Sequence, residues 1–178
     1  AYRTAHFGKW DMRFDRLTPA EAGYDISDGY TDNATGGGKG AGGPAPQEDP
    51  KQVFGLPQRA SAFMQQQVAA QRPFFVQVSH YAVHLDIFYR QQSLQTARQW
   101  EPGKKLTLPE FAALTSDVDT AIGQLLDEIE RLGIEESTYV FFLSDNGGRG
   151  TLPKQPNRRL PRNHPLRDGK GSVYEGGI

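Results

Sequence analysis

Cysteine is absent from all 178 residues of the sequence. Disulfide frameworks, thiolate metal sites and cysteine nucleophiles are therefore excluded within these residues. Long apolar runs are also absent, since none approaches the roughly 20 residues that a membrane-spanning helix needs. Nor does charge of one sign dominate, because 20 basic side chains face 21 acidic ones. This balance excludes an electrostatic argument for a nucleic-acid partner or an anionic membrane.

Hydrophobic residues make up a rather low 37% of the chain, whereas 20 glycines and 12 prolines predict much loop. Residues 11–57 keep no helical or strand period, and residues 36–46 are nearly all Gly, Ala and Pro, so we predict a long surface loop there. Residues 154–167, the densest basic stretch, are predicted to be a solvated loop. The chain begins without Met and ends on Gly-Gly-Ile, so we expect both ends to lie inside a longer domain.

Two apolar runs predict buried strands. Residues 139–143 read Tyr-Val-Phe-Phe-Leu, and residues 74–78 read Phe-Phe-Val-Gln-Val. An exposed strand would alternate apolar with polar residues, so the first run in particular predicts a strand buried on both faces. Residues 2–10 predict a shorter strand.

Helical spacing predicts two main helices. Pro57 opens the first, which has a core face and ends before Pro73. Residues 107–132 form the second, with a capping box at Thr107 to Glu110 and a stop at Gly133. Its predicted buried face consists of eight apolar residues: Phe111, Leu114, Val118, Ile122, Leu125, Leu126, Ile129 and Leu132. Asp117 and Asp119 on this helix are interpreted as parts of a solvated face.

The order of strand, helix and strand over residues 74–143 predicts a right-handed parallel crossover, with the 107–132 helix packed across the sheet. The predicted fold class is therefore α/β, a mostly parallel sheet sandwiched by helices. Each apolar run ends in polar residues. His80 and His84 follow the first run, and Ser144, Asp145 and Asn146 follow the second. Parallel pairing would bring both sets to one edge of the sheet, where ligands of open α/β sheets bind. The alternative for Asp145 and Asn146 is an Asx turn that caps a core strand.

Two lysines stand beside glycines. Lys9 belongs to Gly8-Lys9-Trp10-Asp11, and Lys170 lies between Gly169 and Gly171. A lysine flanked by glycines can approach an anion closely, because the neighbouring backbone carries no side chains in the way. The alternative for Lys170 is an ordinary surface turn.

Four blocks in this order, residues 2–10, 73–84, 140–148 and 165–177, resemble the sulfatase family of the alkaline phosphatase superfamily. The resemblance implies an alkaline-phosphatase-like fold, in which residues 1–178 are the central part of one incomplete catalytic domain. It implies hydrolysis of a sulfate ester by a formylglycine beside one divalent cation, Ca²⁺ with Mg²⁺ as the alternative. It further implies a sulfated small molecule or carbohydrate as substrate and a periplasmic or secreted location.

The resemblance also assigns roles to residues. Lys9 and Lys170 match the lysines that contact the sulfate, and His84 matches a histidine that could protonate the leaving oxygen. Asp145 and Asn146 match metal ligands, which suits a hard cation that prefers carboxylate and amide oxygens. Two ammonium groups and a cation would stabilise the charge on the sulfuryl oxygens.

The sequence departs from the family pattern at three places. Asp11 replaces a His, Leu85-Asp86 stands where a Pro is frequent, and the Cys or Ser nucleophile motif and the paired Asp ligands are absent. We therefore expect the 178 residues alone to be inactive and to bind metal weakly. Two other functions stay open: a phosphomonoester or phosphonate hydrolase of the same superfamily, and a catalytically inactive sulfatase-like binding protein.

Overall fold

The computed structural model describes residues 1–12, 14–31, 48–84, 87–103, 107–152, 155–159 and 162–178. It is an α/β structure with a parallel sheet. Strand β1 (Arg3–Gly8) is the middle strand, with β2 (Ile26–Ser27) on one side and β3 (Phe74–Ser79) on the other, and both pairings are parallel. The strands predicted at residues 2–10 and 74–78 are confirmed. Their direct parallel pairing places Gly8 beside Ser79 at the carboxyl edge of the sheet.

Helix α1 (Gly55–Ala69) covers one face of this sheet. Its buried Leu56, Ala60 and Phe63 pack against Ala5 and Phe7 of β1. The helix follows a 3₁₀ turn (Pro50–Gln52), and both carboxylate oxygens of Asp49 accept hydrogen bonds from backbone amides at its start. An acidic group there is favoured because the first amides of a helix lack internal partners. The predicted helix with Pro57 in its first turn is confirmed.

Helices α2 (Gln91–Ala97) and α3 (Pro109–Arg131) pack against each other, and α3 also packs against α1. The prediction that this long helix lies across the sheet is corrected, because α1 takes that place and α3 reaches the sheet's core through Leu125. Of its eight predicted core residues, Leu114 is buried, Leu126 is exposed and the others are half-buried. A second layer that packs only on other helices leaves part of its apolar face open.

The two ends of α3 differ in how well the sequence predicts them. At the amino end Leu108 is the capping residue and no side chain caps the helix, so the predicted capping box does not form. At the carboxyl end the stop at Gly133 is confirmed. Gly133 has φ of 66° and donates to the carbonyl of Glu130, while Ile134 donates to that of Ile129. These are the two bonds of a Schellman cap.

Asp117 is buried, which corrects its interpretation as part of a solvated face, whereas Asp119 is exposed as expected. The Asp117 carboxylate accepts hydrogen bonds from Arg90 at 2.6 and 3.1 Å and from the Ser93 hydroxyl at 2.6 Å. The Arg90 guanidinium also stacks over the ring of Phe54. A buried carboxylate is tolerated only with such partners, and here they tie α3 to α2 and to the segment before α1.

Residues 139–143 correct another prediction. They pair with no strand in the described part of the chain, and Tyr139, Phe141, Phe142 and Leu143 are 78–90% exposed. The apolar run therefore does not lie parallel to residues 74–78. The hydrophobicity of a segment indicates how much free energy its burial would contribute. It does not indicate which other part of the protein packs against that segment.

The predicted loop over residues 11–57 also needs correction, because it contains β2 and the 3₁₀ turn at Pro50–Gln52. Its Gly-rich part, residues 36–46, lies outside the described residues, as does the departure at residues 85–86. Within the basic stretch, residues 155–159 form strand β5 (Gln155–Arg159), which pairs antiparallel with β4 (Thr151–Leu152), so they are not a loop. Among the described helices, none combines the length and the apolar character needed to cross a bilayer.

Candidate functional site

Lys9 follows the last residue of β1 in a turn that is bound to β3. Its amide donates a 2.7 Å hydrogen bond to the carbonyl of Ser79. Gly8 has φ of 98°, and a Cβ atom there would collide with that same carbonyl oxygen. A glycine is required because only a residue without a side chain permits this conformation and this approach. The half-buried Lys9 thus starts from a fixed backbone position at the carboxyl edge of the sheet.

Two residues after β2 hold the other side of the turn. The Asp28 carboxylate accepts a 2.8 Å hydrogen bond from the Gly8 amide. The Thr31 hydroxyl donates to the Gly8 carbonyl at 2.7 Å and accepts from the Trp10 amide at 2.8 Å. Neither residue was predicted from the sequence, where the signal is slight: Asp28-Gly29 is a turn dipeptide that follows a strand of two residues.

A polar layer lies on the face of the sheet away from α1. His6 Nε2 and the Ser79 hydroxyl are 3.0 Å apart, and Gln77 links this hydroxyl to Tyr24. The His6 ring meets those of Trp10 and Tyr24 edge to face. Burial lowers the pKa of His6, although the negative charge of Asp28 opposes the shift. A histidine with a lowered pKa is neutral at pH 7, so it supports the two strand ends without adding charge.

His84 lies five positions after the end of β3, and its amide donates to the carbonyl of Tyr81. Tyr81 is buried in the core between α1 and the sheet, which anchors this turn. His84 is half-buried and, like Lys9, follows the carboxyl end of its strand. His80 directly follows the last residue of β3. Burial lowers the pKa of His80, with Asp49 acting in the opposite direction.

The other predicted site residues lie in a second group. The amide of Lys170 donates to the carbonyl of Gly148 at 3.2 Å, which places this lysine beside the turn that carries Asp145 and Asn146. Asn163 joins the parts: it accepts from the Gly148 amide and donates to the carbonyls of Gly148 and Asp168. Lys170 and Asp145 are exposed and therefore open to a ligand.

The donor chemistry of this group fits a hard cation in part. The Asn146 amide nitrogen donates to Asp145 Oδ1 at 2.9 Å, so a cation could take the Asn146 amide oxygen and Asp145 Oδ2. Calcium takes six to eight oxygen ligands. Within the described ranges, no cluster of three or more His, Cys, Asp and Glu side chains could hold a metal ion. Asp145 and Asn146 could thus supply two ligands of a larger set.

Each group is assembled from distant parts of the chain. Lys9 and His84 follow the carboxyl ends of the neighbouring strands β1 and β3. The backbone of Lys170 is bonded to Gly148, close in the chain to Asp145 and Asn146. The convergence of all five on one cleft stays a prediction.

Such a parallel α/β fold, with lysines, a histidine and oxygen ligands presented on turns, is suited to an anionic ester and a cation. The sulfatase family model matches residues 1–178, and the chain belongs to the sulfatase family. It is 33% identical over 121 residues to an N-acetylgalactosamine-6-sulfatase of Canis lupus familiaris, a match that covers 68% of this chain and 21% of the relative. The chain therefore spans about a fifth of the length of this curated relative.

Solved structures agree on the fold. The structure is similar to the crystal structure of Ps i-CgsB in complex with k-i-k-neocarrahexaose, with a TM-score of 0.72 and 19% identity over 99% of this chain and 43% of that one. It is also similar to the PsFucS1 sulfatase from Pseudoalteromonas sp., with a TM-score of 0.66 and 21% identity over 99% of this chain and 40% of that one. The alkaline-phosphatase-like α/β fold is thus confirmed.

Proposed function

We propose that the protein containing this chain hydrolyses sulfate esters, and that Lys9, His84, Lys170, Asp145 and Asn146 are its share of the active site. The observation that carries the proposal is the construction of the Lys9 turn. Contacts from Ser79, Asp28 and Thr31 hold its backbone from both neighbouring strands. A surface lysine needs no such support, whereas one that must meet an anion at a fixed point does.

The two lysines would bind the sulfuryl group from two different turns, one after β1 and one beside Gly148. Lys9 offers an ammonium at the sheet edge, and Lys170 offers another beside the Gly148 turn. Charge grows on the oxygens as the ester bond breaks, and pre-positioned cations stabilise that state more than the ground state. We assign both lysines to this electrostatic role.

His84 would donate a proton to the ester oxygen as it leaves. Histidine is the side chain that most often serves as a general acid or base. The family histidine after Lys-Trp is replaced here by Asp11, which accepts protons but does not donate one when ionised. His84 is therefore assigned the donor role.

Asp145 and Asn146 would hold one divalent cation, Ca²⁺ or Mg²⁺, through a carboxylate and an amide oxygen. When bound, such a cation would supply Lewis acidity to the ester. The formylglycine implied by the resemblance has no cysteine to arise from within these 178 residues.

A sulfated carbohydrate is the substrate class that the comparisons favour. One relative is an N-acetylgalactosamine-6-sulfatase, and one structural neighbour holds k-i-k-neocarrahexaose.

We propose a periplasmic or secreted location on the family resemblance. The family match favours a sulfate over a phosphate ester.

The test is to express the longest reading frame that contains this chain together with the formylglycine-generating enzyme. Turnover of a chromogenic aryl sulfate and of the corresponding aryl phosphate is then measured with and without Ca²⁺. We expect sulfate turnover that Ca²⁺ increases. Lys9→Met should lower kcat/KM by about 100-fold or more, the usual loss for one charge-stabilising donor.

The matched control for Lys9→Met is Arg72→Met. It removes an exposed cation that lies before the amino end of β3, whereas Lys9 lies at the carboxyl edge of the sheet. Asp145→Asn should reduce the increase in turnover that Ca²⁺ produces, and Asp119→Asn on the exposed side of α3 is its control. Both controls should keep near wild-type turnover. Phosphate turnover in place of sulfate turnover would favour the phosphoesterase alternative, and sulfate binding without turnover would favour an inactive binding protein.

A further inference from the structure

Asp28 connects the Lys9 turn to helix α1. One of its carboxylate oxygens, Oδ2, accepts both the Gly8 amide at 2.8 Å and the Arg59 guanidinium at 2.9 Å. The Asp28 side chain is only 17% exposed. A carboxylate with two donors on one oxygen is fixed in position, and bonds to an ionised acceptor are the stronger kind.

Arg59 is itself held. It lies in α1, and the nitrogen that binds Asp28 also donates to the Gln52 side chain at 2.7 Å. Helix α1 packs against β1 and β3 through buried residues. The position of the Asp28 carboxylate is therefore tied to helix α1 as well as to the loop that carries it.

We propose that Asp28, held by Arg59, is a positioning residue for Lys9 in the proposed sulfate ester hydrolysis. The Asp28 carboxylate orients the peptide between Phe7 and Gly8, and Thr31 holds the Gly8 carbonyl in the next peptide. Together these bonds set where the Lys9 side chain begins. Loss of the carboxylate leaves the Gly8 amide free to turn toward water. A displacement of about 1 Å in a catalytic group can cost about 100-fold in rate.

The ion pair between Asp28 and Arg59 also reduces the repulsion between Asp28 and a bound anion. A bare carboxylate beside an anion-binding lysine would repel a sulfate group, because like charges disfavour each other at short range. The guanidinium of Arg59 neutralises Asp28 at 2.9 Å. The turn thereby gains a strong acceptor for the Gly8 amide without a net negative charge next to the anion.

The chain contains a matched control at the other end of the same strands. Asp25 accepts the Thr4 amide at 2.8 Å and pairs with Arg3 at 2.7 Å, just as Asp28 accepts the Gly8 amide and pairs with Arg59. Thr4 and Gly8 are four residues apart in β1, or roughly 13 Å along an extended strand. Asp25→Ala thus removes similar bonds far from Lys9.

The experiment compares Asp28→Ala with Asp25→Ala in the full-length enzyme, each alone and combined with Lys9→Met. It measures kcat/KM for an aryl sulfate and inhibition by inorganic sulfate, well below the melting temperature of every variant. Asp28→Ala should lower kcat/KM at least tenfold and weaken sulfate inhibition, whereas Asp25→Ala should stay within about twofold of wild type. Adding Asp28→Ala to Lys9→Met should cost less than twofold further, because the two changes act through one side chain.

Equal losses in the two alanine variants, or losses that multiply in the Lys9→Met background, would overturn the positioning role. If Asp28→Ala does not fold, the positioning role is tested with Asp28→Asn and Arg59→Gln instead. The first keeps an oxygen for the Gly8 amide and should stay within about threefold of wild type. The second leaves the carboxylate uncompensated and should weaken sulfate inhibition; unchanged inhibition would contradict the proposal.

A further measurement is independent of catalysis. Hydrogen exchange at the amides of Gly8 and Lys9 should accelerate in Asp28→Ala, or in Asp28→Leu if that variant is better expressed, and not in Asp25→Ala. Unchanged exchange at these amides refutes the positioning role even if the wild-type protein proves inactive. A wild-type protein that neither turns over nor binds sulfate refutes the proposed function separately.

Discussion

The amide of Lys9 donates to the carbonyl of Ser79, so the residue after β1 is bonded to the last residue of β3. This bond closes the carboxyl edge of the sheet where Lys9 and His84 lie. It requires Gly8 in a conformation with φ of 98° and in contact with Ser79. The geometry leads directly to a test of the turn.

Gly8→Ala should destabilise the protein more than Gly23→Ala. Both glycines have φ near 98°, so both substitutions incur the backbone cost of about 1–2 kcal/mol. The new Cβ at position 8 would also collide with Ser79, whereas nothing lies within 4 Å of one at position 23. The collision should add roughly 1–3 kcal/mol to the loss in the free energy of unfolding, measured by urea denaturation. Equal losses would contradict the tight contact.

Asp117→Ala should cost about 3 kcal/mol in the free energy of unfolding, because it strips a buried carboxylate from Arg90 and Ser93. The control is Asp119→Ala on the exposed side of the same helix, which should change stability by less than about 0.5 kcal/mol. Thermal and urea denaturation of both variants check the prediction. A small loss at position 117 would show that water replaces its partners.

Acid should destabilise the protein partly through His80. Burial lowers its pKa in the folded state, so the unfolded chain binds more protons once the pH falls below about 6.5, the ordinary value for histidine. The free energy of unfolding should therefore decrease on acidification from pH 6.5, and His6 acts in the same direction. His80→Gln should flatten this part of the pH profile.

The control for His80→Gln is His164→Gln, which replaces an exposed histidine. Urea midpoints between pH 5 and 8 provide the comparison. A His80→Gln profile parallel to that of wild type would mean that His80 takes up its proton equally in both states.

Polar substitution of Phe141, Phe142 and Leu143 should reduce binding of a hydrophobic dye by the 178-residue chain and leave its melting temperature unchanged. These side chains are 78–83% exposed in consecutive positions, so they lose no packing when replaced. Phe14→Ser is the control, since Phe14 is 99% exposed but its chain neighbours offer no comparable apolar run. A large fall in melting temperature in the triple variant would show that the segment is packed in solution.

Local patterns predicted those parts of the fold in which neighbouring residues decide. The strands at residues 74–78 and 2–10, the helix opened by Pro57 and the stop at Gly133 all depend on spacing or on one residue's backbone preference. The candidate residues Lys9 and His84 could also be named, because glycines and strand ends mark them. Their roles came from a family resemblance that the comparisons confirm.

Long-range partners were beyond the reach of such patterns. Strand β2 has two residues and no measurable period, so Asp28 and Thr31 gave no sign that they hold the Lys9 turn. Asp117 and Asp119 are two positions apart on one helix, yet one is buried against Arg90 and the other is exposed. Helical spacing puts Asp117 on the same face as the buried Leu114 and Ala121, and Asp119 on another face. The helix does not reveal Arg90, the partner that makes the burial of this carboxylate tolerable.

The sequence by itself determined the α/β class, the position of its main helices and the residue types available for an anion and a cation. Tertiary structure alone decided that β3 pairs with β1, that α1 covers the sheet in place of α3, and that residues 139–143 stay exposed. The physical reason is that periodicity reports how strongly a segment favours burial. The partner that buries it, or fixes its polar groups, is chosen by contacts between residues that are far apart in the chain.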